Sequence, residues 1–261
     1  MRNLIRQKLE EIEEKENVKI IYAAESGSRA WGFASCDSDY DVRFIYVRKP
    51  EYYLKLEKTK DVIEWQLDET LDINGWDLKK ALRLLHKSNP TIFEWANSPV
   101  VYCSSPQWRK VEKIINMYFT SRAGYWHYLS MAKGNYREYL KGGEVKIKKY
   151  FYVLRPLLAC RWIAEKGAPS PMEFERLVES QLDGSVKEEV LNLLSLKRNS
   201  KEYGSVKRID SINRYIENQL LDLKGLADFL PERNYKSFEE LDNIFVDIVF
   251  GRNAFQQACI V

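Results

Sequence analysis

Apolar residues recur along this chain with two different periods, and the change from one to the other divides it. Leu4, Ile5, Leu9 and Ile12 fall at helical spacing within residues 2–16, around an acidic run, which predicts a surface helix packed on a sheet. The apolar run Val18 to Tyr22 predicts a strand. Asp41 to Val47 predicts a second, with Val42, Phe44 and Tyr46 on one face and Asp39, Asp41 and Arg43 on the other. Pro50 to Leu54 reads as a loop or short helix. Two further strands, Asp61–Leu67 and Thr70–Asn74, are joined through Asp68 and Glu69. Gly75 reads as the strand break before a helix, Trp76–Leu85, with Leu78, Ala81, Leu82 and Leu85 inward. Phe93 and Trp95, between Asn89-Pro90 and Ser98-Pro99, cap the core.

From Pro106 the strand period disappears. Helical spacing predicts helices at 106–122, 125–140, 145–165, 171–180, 186–198, 205–223 and 237–250. Two have a serine cap followed three residues later by glutamate, Ser170 with Glu173 and Ser237 with Glu240. The pattern therefore predicts an α+β fold: a small sheet-containing part, residues 1–105, followed by an all-helical part, residues 106–261, packed on it as one body.

Composition narrows the class. The 261 residues suffice for a real core, and the apolar and charged fractions are those of a globular domain. A net charge of only +3 means that any basic surface must be local. Cys36, Cys103, Cys160 and Cys259 show no C-x-x-C and no paired spacing, which argues against zinc and against a disulfide scaffold. No segment has the apolar length to span a bilayer, and the charged N-terminus is unlike a secretory signal. The expected location is cytoplasmic.

Chemistry concentrates between the first two strands. Glu25-Ser26-Gly27-Ser28-Arg29 is a small-residue turn, and ten residues separate Ser28 from Asp39-Tyr40-Asp41. Carboxylates two apart on a strand share a face and repel, so folding alone gives no reason to pair them. A divalent cation removes the repulsion, and Mg²⁺ favours one or two carboxylates together with substrate phosphate oxygens. Gly27 and Ser28 offer backbone N–H groups and a hydroxyl that suit a phosphate.

Strand, Gly-Ser, spacer, Asp-x-Asp and strand together resemble the nucleotidyltransferase core of the DNA-polymerase-β-like superfamily. The fuller string GSRAWGFASCDSDYDVRFIYV, with LDINGWDLKKALRLLHKSNPTIFEWANSP and KKYFYVLRPLLACRWI, is similar to the branch linked with RNA ligases and RNA repair. The resemblance implies a small mixed β-sheet nucleotidyltransferase core, palm-like, with a helical domain completing the cleft. It implies two Mg²⁺ ions held by Asp39, Asp41 and a third carboxylate on a neighbouring strand. Asp72 is the candidate for that place, with Glu64 as its rival; Asp68 and Asp77 read as a turn residue and a first-turn helix residue. Gly27 and Ser28 would cradle the leaving phosphates and Arg29 would help neutralise them. The implied reaction moves NMP from an NTP to an acceptor hydroxyl, an RNA 3′ end, with an RNA ligase as a possible partner.

In the helix expected at 145–165, Lys148, Tyr152 and Arg155 lie at i, i+4 and i+7 beside the stripe Ile147, Phe151, Leu154, Leu158 and Trp162. Such an edge is either the solvent boundary of a buried stripe or a wall of the nucleotide cleft, with cations for a triphosphate and a ring for a base. The superfamily resemblance favours the wall. Aromatic residues from Tyr118 to Tyr128 read as core, and His86 and His127 sit in no ligand pattern. Lys197, Arg198, Lys201, Lys207 and Arg208 form a loose basic cluster whose default reading is a solvated face. Two other functions stay open at this level: protein nucleotidylation, as in antitoxin-like relatives, and a non-catalytic nucleotide- or RNA-binding module.

Overall fold

Helix α1 (Arg2–Glu16) buries Ile5, Leu9 and Ile12 and ends at Asn17, whose left-handed φ of 51° turns the chain into the sheet. The computed structural model describes residues 1–68, 70–182, 184–199, 204–231 and 236–251. Strand β1 (Val18–Glu25) is followed by a single-turn helix α2 (Gly27–Ala30), strand β2 (Tyr40–Arg48) and a short helix α3 (Pro50–Tyr53). Strands β3 (Val62–Asp68) and β4 (Leu71–Asp77) come next, then α4 (Leu78–His86), α5 (Pro90–Ala96), β5 (Val101–Ser104) and α6 (Pro106–Glu112).

The five strands form one sheet in the order β3-β4-β2-β1-β5. Only β2 and β4 run parallel; the other pairs are antiparallel, so the sheet is mixed. Strand β1 is buried on both faces, which explains its nearly unbroken apolar run. An irregularity between Ile20 and Tyr22 sends Ile20 and Ala23 to the α1 side and Ile21, Tyr22 and Ala24 to the side of α4, α5 and α6.

The sequence reading needs correction at both ends of this region. Gly75 does not end β4: a Cβ there would lie 2.1 Å from the Phe44 ring, so the glycine admits that ring and the strand continues to Asp77. Asp77 then caps α4, accepting the Lys79 amide at 2.8 Å. Strand β5, unassigned from the pattern, pairs with β1. The helix expected at 106–122 stops at Glu112 and is followed by a 3₁₀ turn, Ile115–Tyr118.

Beyond it come α7 (Ser121–Tyr139), β6 (Glu144–Lys146), α8 (Ile147–Lys166), α9 (Phe174–Gln181), α10 (Gly184–Asn199), β7 (Ser205–Lys207), α11 (Asp210–Leu226) and α12 (Glu239–Phe250). Strands β6 and β7 pair as a small ribbon where helix starts were expected. Ser237 accepts the Glu239 amide at the start of α12, whereas Ser170 is buried ahead of a helix that begins only at Phe174. Helices α7 to α11 share one core with Phe33 from the segment after α2. Helix α12 instead packs against α4 and α6 on the sheet side. Cys36 and Cys160 are free thiols and Cys103 is disulfide-bonded; Cys259 lies outside the described residues.

Helix α8 runs through Pro156 without a break. Proline lacks the N–H that would bond the Tyr152 carbonyl four residues back. The Asn135 side chain of α7 supplies that donor instead, Nδ2 to Tyr152 O at 2.8 Å. The side-chain amide holds together the part of α8 that reaches the candidate site.

Candidate active site

The end of β1 and the start of β2 meet at a tight crossing. Gly27 has φ +57°, and a Cβ on it would sit 1.9 Å from Asp41 Oδ2. Glycine is thus required twice here, for the backbone angle and for the carboxylate lying against it. The Ser26 amide donates to Asp41 O at 2.8 Å, and the Asp41 amide donates to Glu25 Oε1 at 2.7 Å. Tyr102 on β5 donates its hydroxyl to the other Glu25 oxygen. Glu25 is buried, and loss of water raises its pKa against the opposing pull of the Tyr102 and Asp41 hydrogen bonds. Sequence reasoning passed over Glu25, which fixes the backbone of Asp41.

Asp39 and Asp41 both line a cleft of about 290 Å³, together with Ser26, Gly27, Ser28 and Arg43. Asp72 on β4 is the register partner of Asp41 across the parallel pair, so it stands beside Asp41, outside the residues that line the cleft. Arg43 joins them, Nη2 lying 3.0 Å from Asp41 Oδ1 and 2.8 Å from Asp72 Oδ2. Glu64, the rival third carboxylate, pairs with Asn74 on the far strand β3 and is exposed.

The opposite wall comes from the helical body. Lys148 and Tyr152, one turn apart on α8, face the cleft, as does Lys197 near the end of α10. Lys197 is fully buried and donates to the Ser35 hydroxyl, a contact between residues 162 positions apart. Trp31 and Phe33 complete the lining. The Trp31 and Tyr152 rings meet edge to face at 6.1 Å, and Phe33 stacks on Phe151 at 4.9 Å. Lys149 lies outside the lining and stacks over Tyr139 and Tyr152, at 3.5 and 4.8 Å. Its pKa is lowered, first by desolvation and then by Lys148.

Two expected contacts fail. Arg155, one helical turn beyond Tyr152, does not reach the cleft: it is buried, with Nη1 2.9 Å from Glu94 Oε1 and its guanidinium 4.6 Å from the Trp31 ring. It sits beneath Trp31, as a support for that ring. Arg29 is turned to the backbone, donating to Ser38 O at 2.6 Å and Asp39 O at 3.1 Å, and it covers the Tyr40 ring at 3.7 Å. It shapes the turn that presents Asp39 and does not line the cleft. Lys201, from the loose basic cluster, lies outside the described residues.

Trp31, Phe33, Arg43 and Lys197 are cleft residues that the sequence reading did not assign. Arg43 had a signal, its shared strand face with Asp39 and Asp41. Lys197 stood in a basic cluster read as solvated, and nothing local marked it as buried.

The donor set suits Mg²⁺: two carboxylates on one strand face, with a glycine whose missing Cβ makes room for one of them. Among the described residues no group of three or more His, Cys, Asp or Glu side chains stands ready to hold a metal. Arg43 lies between Asp41 and Asp72, in ion-pair contact with both.

Comparison with known proteins gives three findings. The Bacillus subtilis (strain 168) protein called Uncharacterized protein YcgL is 44% identical over 251 residues, covering 95% of this chain and 96% of that one. A nucleotidyltransferase-like protein of known structure from Exiguobacterium sibiricum 255-15 matches 95% of this chain and 81% of its own. At 13% identity and a TM-score of 0.32 that likeness carries no argument about the site. The profile of the RNA repair pathway DNA polymerase beta family, RlaP, matches residues 1–247, so the chain belongs to that family.

Proposed function

We propose that the protein is a Mg²⁺-dependent nucleotidyltransferase that moves NMP from an NTP to the 3′ hydroxyl of RNA. The observation that carries this reading is the opposition of charge across one cleft. Asp39 and Asp41 stand on the sheet side, Lys148 and Lys197 on the helical side, and aromatic rings lie between. A polyphosphate with a divalent cation satisfies both walls at once; an uncharged ligand satisfies neither.

The residues divide the work. Lys148 binds phosphate oxygens, the buried Lys197 adds positive charge to the same wall from its place on Ser35, and the Gly27-Ser28 turn receives the phosphates that leave. Trp31 and Tyr152 offer ring faces and edges to the nucleoside. Asp39 and Asp41 would hold Mg²⁺, with Asp72 completing the set on the acceptor side, where its side chain is 57% exposed. When bound, Mg²⁺ supplies charge neutralisation at the phosphates and activation of the acceptor hydroxyl. The acceptor oxygen bonds to the α-phosphorus, the bond from that phosphorus to the bridging oxygen breaks, and pyrophosphate leaves. Asp72 would accept the hydroxyl proton. Positioning and charge do most of the work in such transfers.

Incubation with each α-labelled NTP and Mg²⁺, offering RNA and protein acceptors in parallel, tests the reading. Label on RNA, absent when the acceptor's terminal diol has been oxidised with periodate beforehand, is the expected result. Label on protein alone would transfer the activity to side-chain nucleotidylation. Tight NTP binding with no label anywhere would make the fold a binding module.

A further inference from the structure

Arg43 occupies the space between two carboxylates that the proposed function assigns to metal. Its hold is built, not incidental. Besides the contacts to Asp41 Oδ1 and Asp72 Oδ2, Nη1 donates to two main-chain carbonyls, Asp72 O at 2.9 Å and Val42 O at 3.1 Å. The side chain is only 17% exposed, so the fork is fixed in place by strands β2 and β4 themselves. Asp41 Oδ2 fills the space that a side chain on Gly27 would need. The other oxygen, Oδ1, is the one that Arg43 holds together with Asp72 Oδ2.

We infer that Arg43 is the resting counter-cation of this site, and that a divalent ion reaches the Asp41–Asp72 side only by displacing it. The inference rests on the metal-dependent reading above and adds a regulation to it. Two carboxylates in register on neighbouring strands repel, and a fixed guanidinium between them relieves that repulsion without any ion present. The same guanidinium then competes with the ion. It already lines the cleft with Lys148 and Lys197, so once displaced it has a substrate phosphate as its natural new partner. Metal and nucleotide thus load together: the nucleotide gives Arg43 another anion, and the ion takes the carboxylates it leaves. The empty site is thereby less acidic on the Asp41–Asp72 side and holds a stray divalent ion less readily.

Mn²⁺ titration of the full chain by calorimetry, with and without a non-hydrolysable NTP analogue, tests this without any turnover. Arg43→Gln removes the charge, and Arg43→Lys keeps it without the two-pronged geometry. Without nucleotide, Arg43→Gln should bind Mn²⁺ about tenfold tighter than the natural protein, with Arg43→Lys between them, as expected for losing partly exposed charge-assisted hydrogen bonds. The analogue should tighten Mn²⁺ binding in the natural protein and do so much less in Arg43→Gln. Equal Mn²⁺ affinity in all three proteins overturns the inference and leaves the metal reading standing. If none of them binds Mn²⁺, with or without the analogue, the metal reading falls and the inference with it. Should Arg43→Gln fail to fold, the comparison of Arg43→Lys with the natural protein still decides, since equal affinity there contradicts competition by the fork.

Discussion

Asp77 ends β4, caps α4 and accepts the Tyr53 hydroxyl at 2.8 Å while almost wholly buried. Desolvation, only partly offset by those hydrogen bonds, raises its pKa to about 6. A carboxyl raised in the folded state binds its proton more tightly there than in the unfolded chain. Its contribution is therefore fully present below the unfolded pKa near 3.8 and is lost as pH rises to about 6. Asp77→Asn keeps a capping oxygen and removes this cost. Urea unfolding should show the variant level with or up to ~2 kcal/mol above the natural protein at pH 7. The difference should vanish or reverse at pH 4. A variant less stable at pH 7 than at pH 4, relative to the natural protein, would refute the assignment. Nothing in the sequence announced this residue: Asp77 reads as an ordinary first-turn acid because its burial depends on Tyr53 and α3. Gly27 and the Asp39/Asp41 pair were legible because their chemistry is local. A glycine in a small-residue turn and two carboxylates on one strand face need no distant partner to be noticed.

At the scale of elements, α8 shows how far periodicity reaches. Of the stripe it predicted, Ile147, Phe151, Leu154 and Leu158 are buried and Trp162 only partly so, and Lys148 and Tyr152 lie on the cleft side as the i, i+4 spacing allows. Arg155 belongs to the same drawn edge but has rotated beneath Trp31 to meet Glu94, which also accepts the Tyr128 hydroxyl at 2.6 Å. The partner comes from α5, so no pattern within α8 could identify it. Arg155→Ala strands a buried carboxylate and should cost about 3 kcal/mol or more of stability, while NTP affinity per folded molecule changes little. Lys148→Ala should do the reverse, weakening NTP binding about tenfold with melting barely moved. Paired thermal melts and equilibrium binding on the two variants check this. An Arg155→Ala protein that melts normally yet binds NTP poorly would return Arg155 to the cleft. Strand β4 carries a similar lesson, since Gly75 looks like a terminator until the Phe44 ring stands over it.

Across the whole molecule, the spacer between Gly-Ser and Asp-x-Asp is the link between sheet and helices. Phe33 lies in the helical core, the Phe174 amide donates to Trp31 O at 2.9 Å, and Arg198 donates to Gly32 O at 3.0 Å. Lys197 donates to Ser35 on the same segment. The segment that carries the carboxylates into β2 is thus clamped by the helices that supply the cations, and both walls of the cleft are set by one connection. From sequence the fold class and the acidic wall were readable, but the cationic wall was not, because it is assembled from contacts over more than a hundred and sixty residues. The most direct test of the account is single-turnover transfer from an α-labelled NTP to RNA in Mg²⁺, comparing the natural protein with Asp41→Asn at equal folded concentration. The account predicts that transfer falls about a thousandfold, some 4 kcal/mol of barrier, while NTP still binds through the helical wall. Transfer by Asp41→Asn within about tenfold of the natural rate would contradict it.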